Sequence, residues 1–226
     1  MNKVVDVNKA LDVIKDGDVI AVSGFNMATT PEYLLLKLYE RYRDTGHPRN
    51  LFIVTDSLPA ARERALDLIA ERMIKDNDFD FIRGFMITFF GVAPSLQRLV
   101  IENRVEAYSF PIGVATRWFR GVASGTPAIT KVGLGTFLDP RQDGIYMNEL
   151  ARERRTCRVE LVSIGGEEYL LYDCPKPRVG FIRGSTADEF GNLTMTDEAI
   201  YGSVLAITQA VKAQPNPGIV IARCFT

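Results

Sequence analysis

The chain has 226 residues, 46% of them hydrophobic, enough apolar side chains to build a sizeable core as a single domain over 1–226. Its 27 basic and 28 acidic residues leave a net charge of -1, so no charge field favours nucleic acid or an anionic membrane surface. One histidine, His47 in the turn-like stretch TGHPRN, argues against a His-rich metal site and leaves any Ser-His-Asp triad resting on a surface loop. Cys157, Cys174 and Cys224 are widely spaced, with no Cys-x-x-Cys pair. With no signal-like start and no long apolar run, the plain expectation is a reducing cytoplasm.

Strand-like and helix-like segments alternate along the chain, the pattern of an α/β fold with an open, largely parallel sheet flanked by helices. Residues 18–23 (DVIAVS) form an apolar run ending at Gly24. Thr30 is placed to cap a following helix with Pro31 at its first position, and Leu34, Leu35, Leu38 and Tyr39 give that helix an apolar face. Residues 51–54 read as a strand, and Asp56 or Ser57 opens an amphipathic helix carrying Leu66, Ile69 and Met73. Then come a strand over 81–90, a helix over 94–102, a strand over 105–108 and a helix over 113–122. A short strand over 131–134 carries the glycines of KVGLGTFLDP.

Residues 142–160 are charged and irregular, which reads as a mobile excursion over the surface or over a site. Strands over 161–164, 169–172 and 179–182 follow, then a hairpin-like turn at TADEFGNLT and a helix from about 197 to 213. The last segment, 218–222, is a buried-type strand with nothing after it to cover it, from which a partner chain or a second half is expected.

Two glycine turns are candidate sites. In SGFNMATTPEYLL a strand, a glycine turn and a helix N-terminus follow one another, and free N–H groups there suit a phosphate, a carboxylate or an oxyanion. An ordinary βα turn fits the same letters. Gly133-Leu134-Gly135 lacks the spacing of a dinucleotide fingerprint, so a steric turn and a close approach of backbone to ligand both stay open. The acids near strand and turn ends, Glu102, Glu106, Glu167, Glu168, Asp188 and Glu189, include none that position alone makes a nucleophile.

Four stretches together carry a resemblance: GVAPSLQRLVIENRVEAYSFPIGV, VGLGTFLDPR, VELVSIGGEEYLLYDCP and IRGSTADEFGNLTM. In this order they resemble the amino-terminal (alpha) half of the class I coenzyme A transferases, closest to those acting on acetate, propionate and acetoacetate. The resemblance implies a half-domain that packs on a beta half of similar fold. It implies CoA exchange between an acyl-CoA and a short-chain carboxylic or keto acid, as in short-chain fatty acid and ketone body metabolism, by an oligomeric enzyme. A glutamate of the other half would form an anhydride and then a glutamyl-CoA thioester, so no catalytic residue is assigned here. No metal or resident cofactor is implied, with coenzyme A coming and going as substrate.

Carried over by position, Ser23, Gly24 and Phe25 with Pro31 match the family's early glycine-rich turn beside the acyl site, and Gly133, Leu134 and Gly135 match its later wall. On that resemblance a close backbone approach is favoured at the second turn. The chain also departs from the family. Met27 and Thr29 stand in a turn that usually holds more glycines, and Ile87, Thr88, Phe89 and Phe90 replace a Gly-Gly-His-type run. Ile112 stands where a glutamine is frequent, and a helix is expected over TDSLPAARERALDL in place of a glycine-rich loop. Phe90 and Ile112 therefore join the expected substrate-binding positions, in a narrowed or redirected pocket. An acyl-CoA hydrolase and a non-catalytic binding module are the alternatives on the same scaffold.

Overall fold

The computed structural model describes residues 2–216 and 218–225. In chain order the elements are α1 (Val7–Leu11), β1 (Val19–Val22), α2 (Glu32–Thr45), β2 (Leu51–Thr55), β3 (Ala60–Ala61), β4 (Arg64–Ala65), α3 (Leu66–Asp76), β5 (Ile82–Ile87) and α4 (Pro94–Ile101). They continue with β6 (Glu106–Ser109), α5 (Ile112–Ser124), β7 (Ala128–Thr130), α6 (Glu149–Arg154), β8 (Arg158–Ile164), β9 (Glu167–Asp173), β10 (Val179–Thr186), α7 (Val204–Lys212) and β11 (Ile219–Phe225).

Six strands form one parallel sheet in the order β11-β10-β1-β2-β5-β6. Helices cover both faces, which is why β2 (LFIVT) is an unbroken apolar run rather than an alternating one. Successive side chains point to opposite faces: Leu51 and Ile53 enter the core layer shared with α2, α3 and α4, while Phe52 and Val54 enter the layer shared with α5 and α7. That second layer also buries Leu170 and Tyr172 from a small antiparallel sheet, β7-β9-β8.

Several local expectations give way to long-range contacts. The 56–65 segment is not helical: it is a loop with the small hairpin β3-β4, and α3 starts only at Leu66. There Asp67, fully buried, accepts from the amides of Ser95 and Leu96 at 2.8 and 3.0 Å, capping α4 from another element. Thr30 does not cap α2: its hydroxyl turns back to the Asn26 carbonyl at 2.6 Å, and Pro31 takes the cap position. The 131–134 segment is a turn, and the preceding strand β7 belongs to the antiparallel sheet, so the second glycine turn does not end a strand of the parallel sheet.

Residues 142–160 are ordered. Ser109 N–H donates to the Ile145 carbonyl at 2.8 Å and Met147 N–H to that of Ala107 at 3.0 Å, closing the outer edge of β6. Asn148 caps α6 and reaches the carbonyls of Val100 and Val105. Helix α7 begins at Val204, leaving 197–203 as irregular chain, whereas the 187–193 turn forms as expected, with Asp188 accepting from the Phe190 and Asn192 amides.

Glu106, one of the acids noted in the sequence, is fully buried and structural: Arg83 Nη1 donates to it at 2.7 Å, with Tyr108 and Thr156 hydroxyls on its second oxygen. Gly84, its partner across β5-β6, leaves the room it needs, since a Cβ there would lie 2.2 Å from Glu106 Cγ. Cys157 and Cys174, which spacing alone does not pair, extend the β8-β9 register by one step and are joined as a disulfide, while Cys224 is free. No helix among the described residues is long and apolar enough to cross a membrane.

Candidate functional site

The ladders of the central strands end together, at Val22 beside Thr55, Val54 beside Met86 and Ile87 beside Ser109. One step further, Ser23, Asp56, Thr88 and Phe110 form a row along the carboxyl edge, the edge where open α/β sheets place their ligands. Ser23 is buried, and its hydroxyl donates to the Thr29 carbonyl at 2.9 Å, folding the loop back over the strand end. Gly24, at φ 135°, is required by that fold, because a Cβ would lie 2.0 Å from Thr30 Oγ1.

This loop does not present the expected set of free amides. The amides of Phe25 and Ala28 bond each other's carbonyls, and Asn26 N–H donates to the Leu58 carbonyl at 2.8 Å. The loop offers side chains instead. Phe25 is 43% exposed, with its ring centroid 6.2 Å from that of Phe89. Phe90, singled out from sequence, lies in the α2-α4 core, so Phe89 takes the position beside Phe25. Ile112, the first residue of α5, is 45% exposed and follows directly on Phe110 and Pro111.

The second turn reaches the same edge through aromatic contacts. Tyr172 donates to the Val132 carbonyl at 2.9 Å, and its ring packs edge-on against Phe110 at 5.2 Å. Burial pushes the Tyr172 hydroxyl up to about 12, so it stays a donor across the physiological range. Gly133, at φ 101°, is demanded from inside the chain, since a Cβ there would lie 2.3 Å from Tyr172 Oη. Gly135, at φ 70°, faces open space, and its amide donates to Asp139 at 2.9 Å. Arg141 clamps Asp139 with two side-chain donors and its own amide, which holds the Asp139 carboxyl well below the usual range. Leu134, half-buried between the glycines, packs on the α5-α7 core layer. Within the chain, the Tyr172 hydroxyl and a left-handed backbone account for glycine at 133, and the left-handed backbone alone for glycine at 135.

Asp56 is the feature that sequence reasoning missed. Its only signal was an acid directly after an apolar strand, read as the start of a helix. It is 6% exposed, and its Oδ2 accepts the Ser203 amide at 3.0 Å, joining residues 147 apart at the start of α7. Desolvation raises its pKa, partly opposed by the bond from Ser203.

Comparisons with known proteins agree with the fold. Residues 4–224 match the family described as Coenzyme A transferase. Caffeate CoA-transferase of Acetobacterium woodii is 34% identical over 225 residues, covering 99% of this chain and 41% of the relative. The crystal structure of the acyl-CoA transferase YdiF of Escherichia coli O157:H7, in a thioester complex with CoA, superposes with a TM-score of 0.86 at 30% identity over 99% of this chain and 42% of that one. The acetoacetyl-CoA:acetate/butyrate CoA transferase alpha subunit of Clostridium acetobutylicum is 24% identical over 192 residues, with 84% of this chain and 74% of that relative covered. The chain spans about two fifths of the length of the first relatives it matches. The parallel sheet, its covering helices and a family match over almost every residue lead to one conclusion: the chain belongs to the coenzyme A transferase family.

Proposed function

We propose that this chain is the alpha half of a coenzyme A transferase that moves CoA between an acyl-CoA and a short-chain carboxylic or keto acid. The observation that carries this reading is the family match across residues 4–224 against relatives more than twice as long, which leaves room in them for a complementary half. That half brings the nucleophile. Its glutamate oxygen attacks the thioester carbonyl and expels CoA thiolate, leaving an acyl-glutamyl anhydride. The thiolate then attacks the glutamyl carbonyl, which releases the first acid as a carboxylate and forms the glutamyl-CoA thioester. The acceptor carboxylate reverses both steps, so no proton is gained or lost overall.

This chain contributes walls. Ser23, Gly24 and Phe25 with Phe89 border the acyl group on one side, Phe90 backs them from the core, and Gly133, Leu134 and Gly135 close the other side, with Ile112 between. The reaction needs no metal or resident cofactor, and the enzyme works in the cytoplasm as an oligomer with its beta half.

The test is to express the chain with its complementary half and incubate the complex with a short acyl-CoA and a second acid. New acyl-CoA should form only when both halves and the acceptor are present. Ile112, half-exposed where a hydrogen-bonding glutamine is frequent, favours one second reading, an acyl-CoA hydrolase. Release of free CoA at an undiminished rate without acceptor would decide for it.

A further inference from the structure

The base of the β8-β9 hairpin borders a cavity of about 690 Å³, none of whose lining residues belongs to the carboxyl edge of the parallel sheet. Arg155, Arg158 and Lys176 line it, with Asp173 the one acid among the lining residues. Arg158 donates to Asp173 at 3.1 Å and lies 4.0 Å from Glu160. Arg155 and Lys176 are both exposed, and neither has a carboxylate partner among the described residues. The Arg155 guanidinium is held instead by the Tyr146 ring at 5.9 Å and the Arg152 carbonyl. The cavity therefore carries a surplus of positive charge, which favours an anion.

Its wall also holds sulfur. Cys174 lines the cavity, and its disulfide partner Cys157 does not. Cys174 is 4% exposed and Cys157 0%, so a nucleophile entering the cavity meets the Cys174 side of the bond. The disulfide is not what keeps the hairpin in register. The ladder from Arg158–Asp173 to Ile164–Glu167 begins directly beyond it, and opening the bond leaves that ladder in place. In a reducing compartment a disulfide is as a rule exchanged rather than kept.

We propose that this cavity is a thiol–disulfide exchange site, at which a small thiol carrying phosphates or carboxylates attacks Cys174. Coenzyme A and glutathione are the two sources of that chemistry. The cations draw the anion in and favour its thiolate form. A bond forms between the incoming sulfur and Cys174 Sγ as the Cys157–Cys174 bond breaks. The electron pair leaves on Cys157, which takes up the proton that the incoming thiol gave up. A second molecule of the same thiol then attacks the sulfur of the first. The cysteine pair ends reduced, the small thiol ends oxidised as its own disulfide, and no other oxidant or reductant takes part. The site stands apart from the acyl-transfer reading.

The experiment uses the chain in complex with its complementary half, carrying Cys224→Ser and oxidised with diamide so that Cys157 and Cys174 are paired. The complex is incubated with coenzyme A, glutathione or uncharged 2-mercaptoethanol and quenched with iodoacetamide. Intact mass gives the rate at which the disulfide is lost, and peptide mapping gives the sulfur that carries the adduct. Corrected for each thiol's own ionisation, the faster anionic thiol should react at least about tenfold faster than 2-mercaptoethanol, with its adduct on Cys174 and the iodoacetamide label on Cys157. That lead should collapse in about 1 M salt. Arg155→Gln with Lys176→Gln, both at exposed positions, should slow the anionic thiols about fivefold or more and leave 2-mercaptoethanol unchanged. A faster reaction with coenzyme A assigns the site to a phosphate-bearing thiol, and a faster one with glutathione to a carboxylate-bearing thiol. Equal rates for charged and uncharged thiols, an adduct on Cys157, a disulfide that survives all three thiols, or cysteines that do not pair on oxidation would each overturn the proposal. Absence of CoA transfer alongside charge-dependent exchange at Cys174 would strike the proposed function and leave this site standing.

Discussion

Gly133 and Gly135 sit two residues apart in one turn and are glycine for different reasons. At Gly133 a methyl group meets the Tyr172 hydroxyl and the backbone is left-handed, whereas at Gly135 only the backbone objects. Gly133→Ala should therefore cost about 2–4 kcal/mol and Gly135→Ala about 1 kcal/mol, compared by urea denaturation. Asp56 gives a second prediction at this scale. Burial raises its folded pKa above the unfolded value, so its contribution to stability is full below the unfolded pKa and is lost as pH rises through the folded one. Asp56→Asn escapes that loss and can still accept from Ser203. Its stability relative to the parent should rise as pH climbs from the unfolded carboxyl range through the higher folded pKa, and a flat difference across that rise would contradict the assignment. The need for glycine was legible in the letters at both turn positions. The buried Asp56 carboxyl was not, because nothing adjacent in sequence reveals burial.

Among the elements, the strand runs of β1, β2 and β5, the apolar face of α2 and the existence of α4 followed from local pattern. The failures were at helix starts. Thr30 and Ser57 each offered a plausible local cap, and the structure uses neither to start a helix, while the helix expected from about 197 begins at Val204. Helix α4 is instead capped from a distance by Asp67, which satisfies two amides that α4's own sequence leaves open. Asp67→Ala should cost about 2 kcal/mol and speed amide exchange at Ser95 and Leu96 ahead of the rest of α4, as read by hydrogen exchange. Residues 142–160, charged enough to suggest mobility, are held by backbone pairing to the outer edge of β6, a partner a local reading cannot supply.

At the level of the whole molecule, large apolar side chains stay exposed around the carboxyl edge and its neighbouring turns: Phe25, Ile112, Phe137 and Tyr201 at 43%, 45%, 61% and 71%. Clusters of this kind on a folded chain mark contact surfaces. Under the proposed function, adding the complementary half should slow amide exchange at residues 23–30, 132–138 and 197–205 and leave the β8-β9 hairpin unchanged. Protection of the hairpin alone would place the partner on the wrong face. The sequence by itself determined the α/β alternation, the buried strands and the family, since these rest on side-chain type, local periodicity and ordered motifs. Only the tertiary structure decided that Asp56 meets Ser203, that Gly133 makes room for Tyr172 and that Asp67 caps a neighbouring helix. Those contacts join residues far apart along the chain, and strand order and packing, not local preference, bring them together.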